Sequence, residues 1–228
     1  MKTIGILGGM SAQSTSVYYQ MINERVNKQL KNAHSAQILL YSFDFQLISE
    51  LQHANNWQML VHLLGEKARL LENAGAELLV IATNTMHKIL PELQQMVHIP
   101  FVSIVTATVD EIKSKGCHQV LLLGTEFTMN DDMFKQACAM QNIECITVDK
   151  TSQKIVHDII YKELIVGIIN KKSKTIIEEI VLKYPNVQGV ILGCTELPLL
   201  QCDFQNKIIF DTTDIHAHAI VKEALKAD

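Results

Sequence analysis

The sequence predicts an α/β protein built from two pseudo-symmetric, three-layer αβα domains with mostly parallel sheets. Three observations predict it. Short apolar runs alternate with segments of helical spacing, the pattern of strand–helix–strand units joined by right-handed crossovers. Those runs are nearly continuous, as in strands buried on both faces of a parallel sheet. The order of segments also starts over midway along the chain. Val120-Leu-Leu-Leu-Gly124-Thr125 echoes Ile4-Gly-Ile-Leu-Gly8-Gly9, and Val190-Ile-Leu-Gly-Cys194-Thr195 echoes Leu79-Val-Ile-Ala-Thr83-Asn84.

Taken in order, Lys2 to Leu7 reads as a strand ending in Gly8-Gly9, followed by a turn and helix cap over Ser11 to Thr15. Tyr18 to Gln29 reads as a helix and Ala36 to Ser42 as a second strand. Asn55 to Ala74 places Leu60, Leu63, Leu64, Ala68 and Leu71 at helical spacing and stops at Gly75. Glu77 to Ala82 is a buried strand, Pro100 to Val105 begins another, and Val109 to Lys115 forms the helix after it. In the second half Met133-Phe134 sits where Val17-Tyr18 did, and Ile208 to Phe210 answers to Phe101 to Ser103. The first domain is therefore read as residues 1–103 plus 209–228, the second as 104–208.

Composition narrows the function. The 228 residues are 48% hydrophobic and 19% charged, an ordinary globular balance. Twenty Lys and Arg against 24 Asp and Glu give a net charge of −4, with no clustered basic face of the kind nucleic acid requires. No apolar stretch approaches the roughly 18 residues of a membrane span. The apolar run at the N-terminus is too short for a signal peptide, so a cytoplasmic protein is expected. The five cysteines are odd in number and form no CxxC, which predicts reduced thiols; Cys117, Cys138 and Cys145 read as packing residues.

Chemistry is expected where the strands end, because ligands of parallel sheets bind outside the carboxyl ends of strands. Ser11, Thr83-Asn84-Thr85, Thr125 to Thr128 and Cys194-Thr195-Glu196 all fall there. If the halves face each other, these loops converge in one cleft. The segment Thr83-Asn84-Thr85-Met86-His87 reads either as an anion cradle at a helix start or as an ordinary helix N-cap. Cys194 reads either as a thiol with a route to a lowered pKa beside a helix start, or as a buried structural cysteine. Its match to Thr83 by internal repetition favours function. Gly5 to Met10 does not fit the G-x-G-x-x-G spacing of a dinucleotide fold, and Asp44 adds little to that reading. Gly8-Gly9 instead lets the backbone approach a small ligand. His216 and His218 point apart on a helix, and no motif supports a metal. His87 lies close enough to Thr83 to support it or to be structural. His62 and His157 read as members of ordinary helix faces.

Over almost its whole length the chain resembles the aspartate/glutamate racemase family. The resemblance is carried by Ile4-Gly-Ile-Leu-Gly-Gly-Met10-Ser11, Thr83-Asn-Thr-Met-His87, Gly193-Cys-Thr-Glu196 and Phe210-Asp-Thr-Thr213. It implies two pseudo-symmetric α/β domains with the active site in the cleft between them, a cysteine on each side of the substrate α-carbon, and no cofactor or metal. It also implies a small acidic amino acid as the partner and a homodimer. Here Thr83 stands where most members have the first cysteine, so the chain is similar to a Thr/Cys branch of broad-specificity amino-acid racemases. By this resemblance Thr83 and Cys194 are the catalytic pair, and Met10, Gln52, Asn84, Thr85, Thr128, Thr195 and Glu196 contact the substrate. Lys88 and Lys162 are candidates for holding its side-chain carboxylate. Inverting a stereocentre takes a proton from one face and returns one to the other, which one base in a rigid pocket cannot do. Other readings are a relative of maleate isomerase, hydantoin racemase or arylmalonate decarboxylase, and a non-catalytic protein that binds an acidic ligand.

Overall fold

The computed structural model describes residues 1–226. The chain divides into two compact units, Met1–Ser103 with the stretch from His216 onward, and Ile104–Ile215. The return to the first unit thus lies at residue 216, not at 209 as the sequence predicts. The reason is strand pairing: Ile208–Asp211 adds to the second sheet and carries the start of the following helix with it.

The first unit holds a four-stranded parallel sheet of β1 (Ile4–Gly8), β2 (Ile38–Ser42), β3 (Leu78–Ile81) and β4 (Phe101–Val102) in the order β2-β1-β3-β4. Side chains alternate across it. Ile4, Ile6, Leu78, Val80 and Ala82 face Tyr18, Ile22 and Val26 of helix Ala12–Leu30 and Ala217, Ile220 and Val221 of helix Thr212–Ala224. Leu7, Leu79 and Ile81 face Leu60, Leu64 and Ala68 of helix Trp57–Asn73. Three layers result because both faces of the sheet are apolar.

The second unit repeats the plan with β5 (Gln119–Gly124), β6 (Glu144–Thr147), β7 (Gly189–Gly193) and β8 (Ile208–Asp211), all parallel, in the order β6-β5-β7-β8. Val120 to Leu123 and Val190 to Leu192 form the centre of a core that includes Phe134, Val156, Ile160, Ile177 and Val181 from the flanking helices.

Two helices start earlier than the sequence predicts. The first begins at Ala12, capped by Ser11, whose Oγ accepts from the Ser14 amide at 3.2 Å. The other runs Ile104–Ser114, so the strand expected over Pro100 to Val105 shrinks to Phe101–Val102. Among the described residues no helix is long and apolar enough to cross a membrane. Asp44, which added little to a dinucleotide reading, caps helix Phe45–His53 by accepting from the Gln46 amide.

Candidate active site

In the first unit Met10, Thr83, Asn84 and Thr85 follow the carboxyl ends of neighbouring strands β1 and β3. After β1 the chain turns through Gly9, whose φ of 82° suits glycine. A Cβ on Gly9 would run into the Phe43 backbone. The Gly9 amide donates to Thr15 Oγ1 at 2.7 Å, and that hydroxyl donates to the Ser11 carbonyl at 2.8 Å. Met10 is buried in this turn. Ser14 Oγ donates across to the Ala82 carbonyl at 3.4 Å, tying the β1 turn to the end of β3. There Thr83 and Thr85 are partly exposed and Asn84 is buried, just before the 3-10 turn Thr85–Ile89. Gln52, also buried, lies in the last turn of helix Phe45–His53.

The second unit repeats this at β5 and β7. Gly124 and Gly193 stand opposite each other in the last rung of the pairing. A Cβ on Gly193 would sit 2.9 Å from the Leu123 carbonyl oxygen, and one on Gly124 would sit 3.0 Å from the Gly193 carbonyl oxygen. Glycine is therefore needed at 193 for the strands to stay paired up to Cys194. Thr128 is fully buried against the two glycines, and its amide donates to Thr125 Oγ1 at 3.3 Å. Cys194, Thr195 and Glu196 follow β7 and precede the 3-10 turn Leu197–Leu200.

Here one carboxylate oxygen organises the chemistry. Cys194 Sγ donates to Glu196 Oε2 at 3.0 Å, and Thr195 Oγ1 donates to the same oxygen at 2.6 Å. Burial raises the Cys194 thiol well above its ordinary value, and the Glu196 charge raises it further; the amides of Glu196 and Leu197 pull the other way without prevailing. This corrects the expectation of a lowered pKa, since the segment after β7 is only a short 3-10 turn and brings a carboxylate with it. The resting residue is a thiol with a proton acceptor in contact.

The sequence reading missed a tyrosine within electrostatic reach of this thiol and the histidine stacked on that tyrosine. Tyr161 is pushed up to about 12 by burial and by charge on Cys194 and Glu196, so its phenol lies within their electrostatic reach. His157 stacks on it with ring centroids 4.4 Å apart, and its Nδ1 accepts from the Glu126 amide at 3.2 Å. His157 is thus engaged with the loop after β5, where an ordinary helix face was expected. The i, i+4 spacing of His157 and Tyr161 was the available signal. Lys162, by contrast, is exposed and pairs with Asp158 at 3.1 Å. Lys88 lies 4.6 Å over the Trp57 ring. His62 is exposed.

Residues 7–220 match the family model described as Asp/Glu/Hydantoin racemase. The fold superposes on the crystal structure of a candidate Asp/Glu racemase from Yersinia pestis with a TM-score of 0.92 and 42% identity, over 99% of this chain and 100% of that one. A broad-specificity amino-acid racemase of Bacillus subtilis is 24% identical over 97% of this chain and 98% of its own length. A glutamate racemase from Hydrogenobaculum is 30% identical over 61% of this chain, a match spanning 54% of that enzyme. The chain belongs to the Asp/Glu/Hydantoin racemase family and is an enzyme of the amino-acid racemase class.

Proposed function

We propose that the chain racemises aspartate and/or glutamate without a cofactor, by proton transfer at the α-carbon between Thr83 on one face and Cys194 on the other. The observation that carries the reading is their equivalence. Each is the polar residue that follows the third strand of its unit, in sheets of the same strand order, just ahead of a 3-10 turn. Glu196 accepts the Cys194 proton, leaving a thiolate that removes the α-proton while the Thr83 hydroxyl protonates the other face; solvent water then reprotonates the Thr83 oxygen and takes the proton from Glu196, restoring the resting groups, and the opposite enantiomer returns by the same path run backwards. The developing carbanion spreads its charge into the α-carboxylate, which the donors of Asn84, Thr85 and Thr195 stabilise. Met10, Gln52 and Thr128 complete the substrate contacts in this reading. A small acidic amino acid is the partner, and a homodimer is the assembly inferred from the resemblance.

The test is a chiral assay with each enantiomer of aspartate and glutamate, run in D₂O and with maleate alongside. Racemisation with deuterium gained at the α-carbon is expected. Turnover of maleate alone, or inversion without exchange, overturns the reading. Thr83→Ala or Cys194→Ala with full activity removes that residue from it.

A further inference from the structure

Behind the strand end that carries Thr83, the first unit keeps two histidines out of water. His87 lies in the 3-10 turn, and its Nδ1 is 2.9 Å from the Thr83 carbonyl oxygen. A carbonyl only accepts, so Nδ1 carries the proton there. His216 comes from helix Thr212–Ala224. Its Nε2 donates to the Val102 carbonyl at 2.8 Å, and its Nδ1 accepts from the Tyr18 hydroxyl at 2.9 Å. The two rings meet nearly edge to face with centroids 5.7 Å apart, and both are buried. Burial holds both rings neutral, with His87 lowered to about 4 and His216 to about 3. Each hydrogen-bond partner fixes one tautomer, so neither ring can flip without breaking a contact.

We propose that His87 is a positioning residue for Thr83, and that His216 keeps the His87 ring from turning. The proposal rests on the racemase reading, in which Thr83 acts on one face of the substrate. Thr83 lies beyond β3, which ends at Ile81, so sheet pairing does not hold its carbonyl. The His87 N–H does. In the second unit the Cys194 carbonyl accepts from the Leu197 amide at 3.2 Å, a bond within the turn itself. Thr83 is thus oriented by a side chain anchored to β4 and to helix Ala12–Leu30 through His216, and a misplacement of about 1 Å is enough to cost about 10²-fold in rate.

The test separates the two faces. α-Proton exchange into D₂O is measured separately from D- and L-aspartate and D- and L-glutamate, with kcat and KM, for wild type, Thr83→Ala, His87→Ala, His87→Gln and His87→Asn. His87→Ala is expected to lose about 10²-fold in exchange from the enantiomer that Thr83→Ala loses. Exchange from the other enantiomer, which Cys194 serves, and KM should move only a few-fold. Asn places an amide N–H near the position of Nδ1–H, so His87→Asn should recover at least about tenfold of the loss, and Gln should not. Equal loss from both enantiomers, or no loss, in a variant with wild-type circular dichroism overturns the proposal while leaving the racemase reading intact. Should His87→Ala fail to fold, the Asn and Gln pair makes the same comparison. A wild type that exchanges neither enantiomer of either amino acid sinks both.

Discussion

The strand end at Ala82 to His87 and the one at Gly193 to Leu197 share a backbone plan and differ in what stands behind the polar side chain. At Thr83 a neutral imidazole grips the backbone carbonyl from below. At Cys194 an acidic side chain takes the proton-bearing sulfur directly. In the proposed mechanism the first arrangement sets where a hydroxyl points, and the second sets where a proton goes. A thiol gives up its proton far more readily than a hydroxyl, so an adjacent carboxylate matters most on the cysteine side. For threonine, orientation is what the surroundings can still supply. The repeat thus gives two equivalent positions, and the neighbours two or four residues on give them different surroundings.

The sharpest break of this comparison is Cys194→Ala, expected to lower racemisation by about 10³-fold or more with an unchanged circular dichroism spectrum. Glu196→Gln should follow with about 10²-fold less activity. It should also speed alkylation of Cys194 at pH 8, because removing the carboxylate charge lets the thiol pKa fall. Slower alkylation would show that Glu196 does not hold the proton on sulfur. Thr83→Cys should raise turnover by about tenfold if proton affinity limits that face; a rate at or below wild type would assign the limit to orientation. Gly193→Ala puts a methyl 2.9 Å from the Leu123 carbonyl and should cost about 1–3 kcal/mol, read as a lower Tm.

A further comparison distinguishes the two strand ends by pH. His87 and His216 titrate lower in the fold than their ordinary 6.5, so the unfolded chain binds more protons below that value. Their contribution, about 3 kcal/mol at most for His87, is present above pH 6.5 and lost as pH falls towards 4. Cys194 is raised above 9.0, so its contribution is present below pH 9 and lost as pH rises beyond it. In thermal melts across pH, His87→Asn should shrink the acid limb, leaving the His216 share, and Cys194→Ala should shrink the alkaline limb.

Much of this was legible in the sequence where the chain speaks locally. The apolar runs at Ile4, Leu78, Val120 and Val190 all became central strands, and the repeat between them paired Thr83 with Cys194. The helix from Ile104 was misread because Pro-Phe-Val-Ser-Ile-Val is rich in β-branched and aromatic residues, and tertiary packing overrode that preference. The helix Phe45–His53 went unread because it is too short to show a periodicity. Tyr18 and His216 meet across 198 positions, a contact no spacing rule reaches. The Cys194 pKa was missed in direction because a helix start was assumed where a 3-10 turn and Glu196 stand.

The final rung between β5 and β7 joins two residues without side chains, so bare backbone forms the floor on which Cys194 stands. Position 194 is the first place past that floor where a functional group can be mounted. Exchanging the group there leaves the strand register untouched, whereas altering the glycine beneath disturbs the pairing itself. A scaffold of this kind can adopt new chemistry one residue at a time, with its supporting rung held constant.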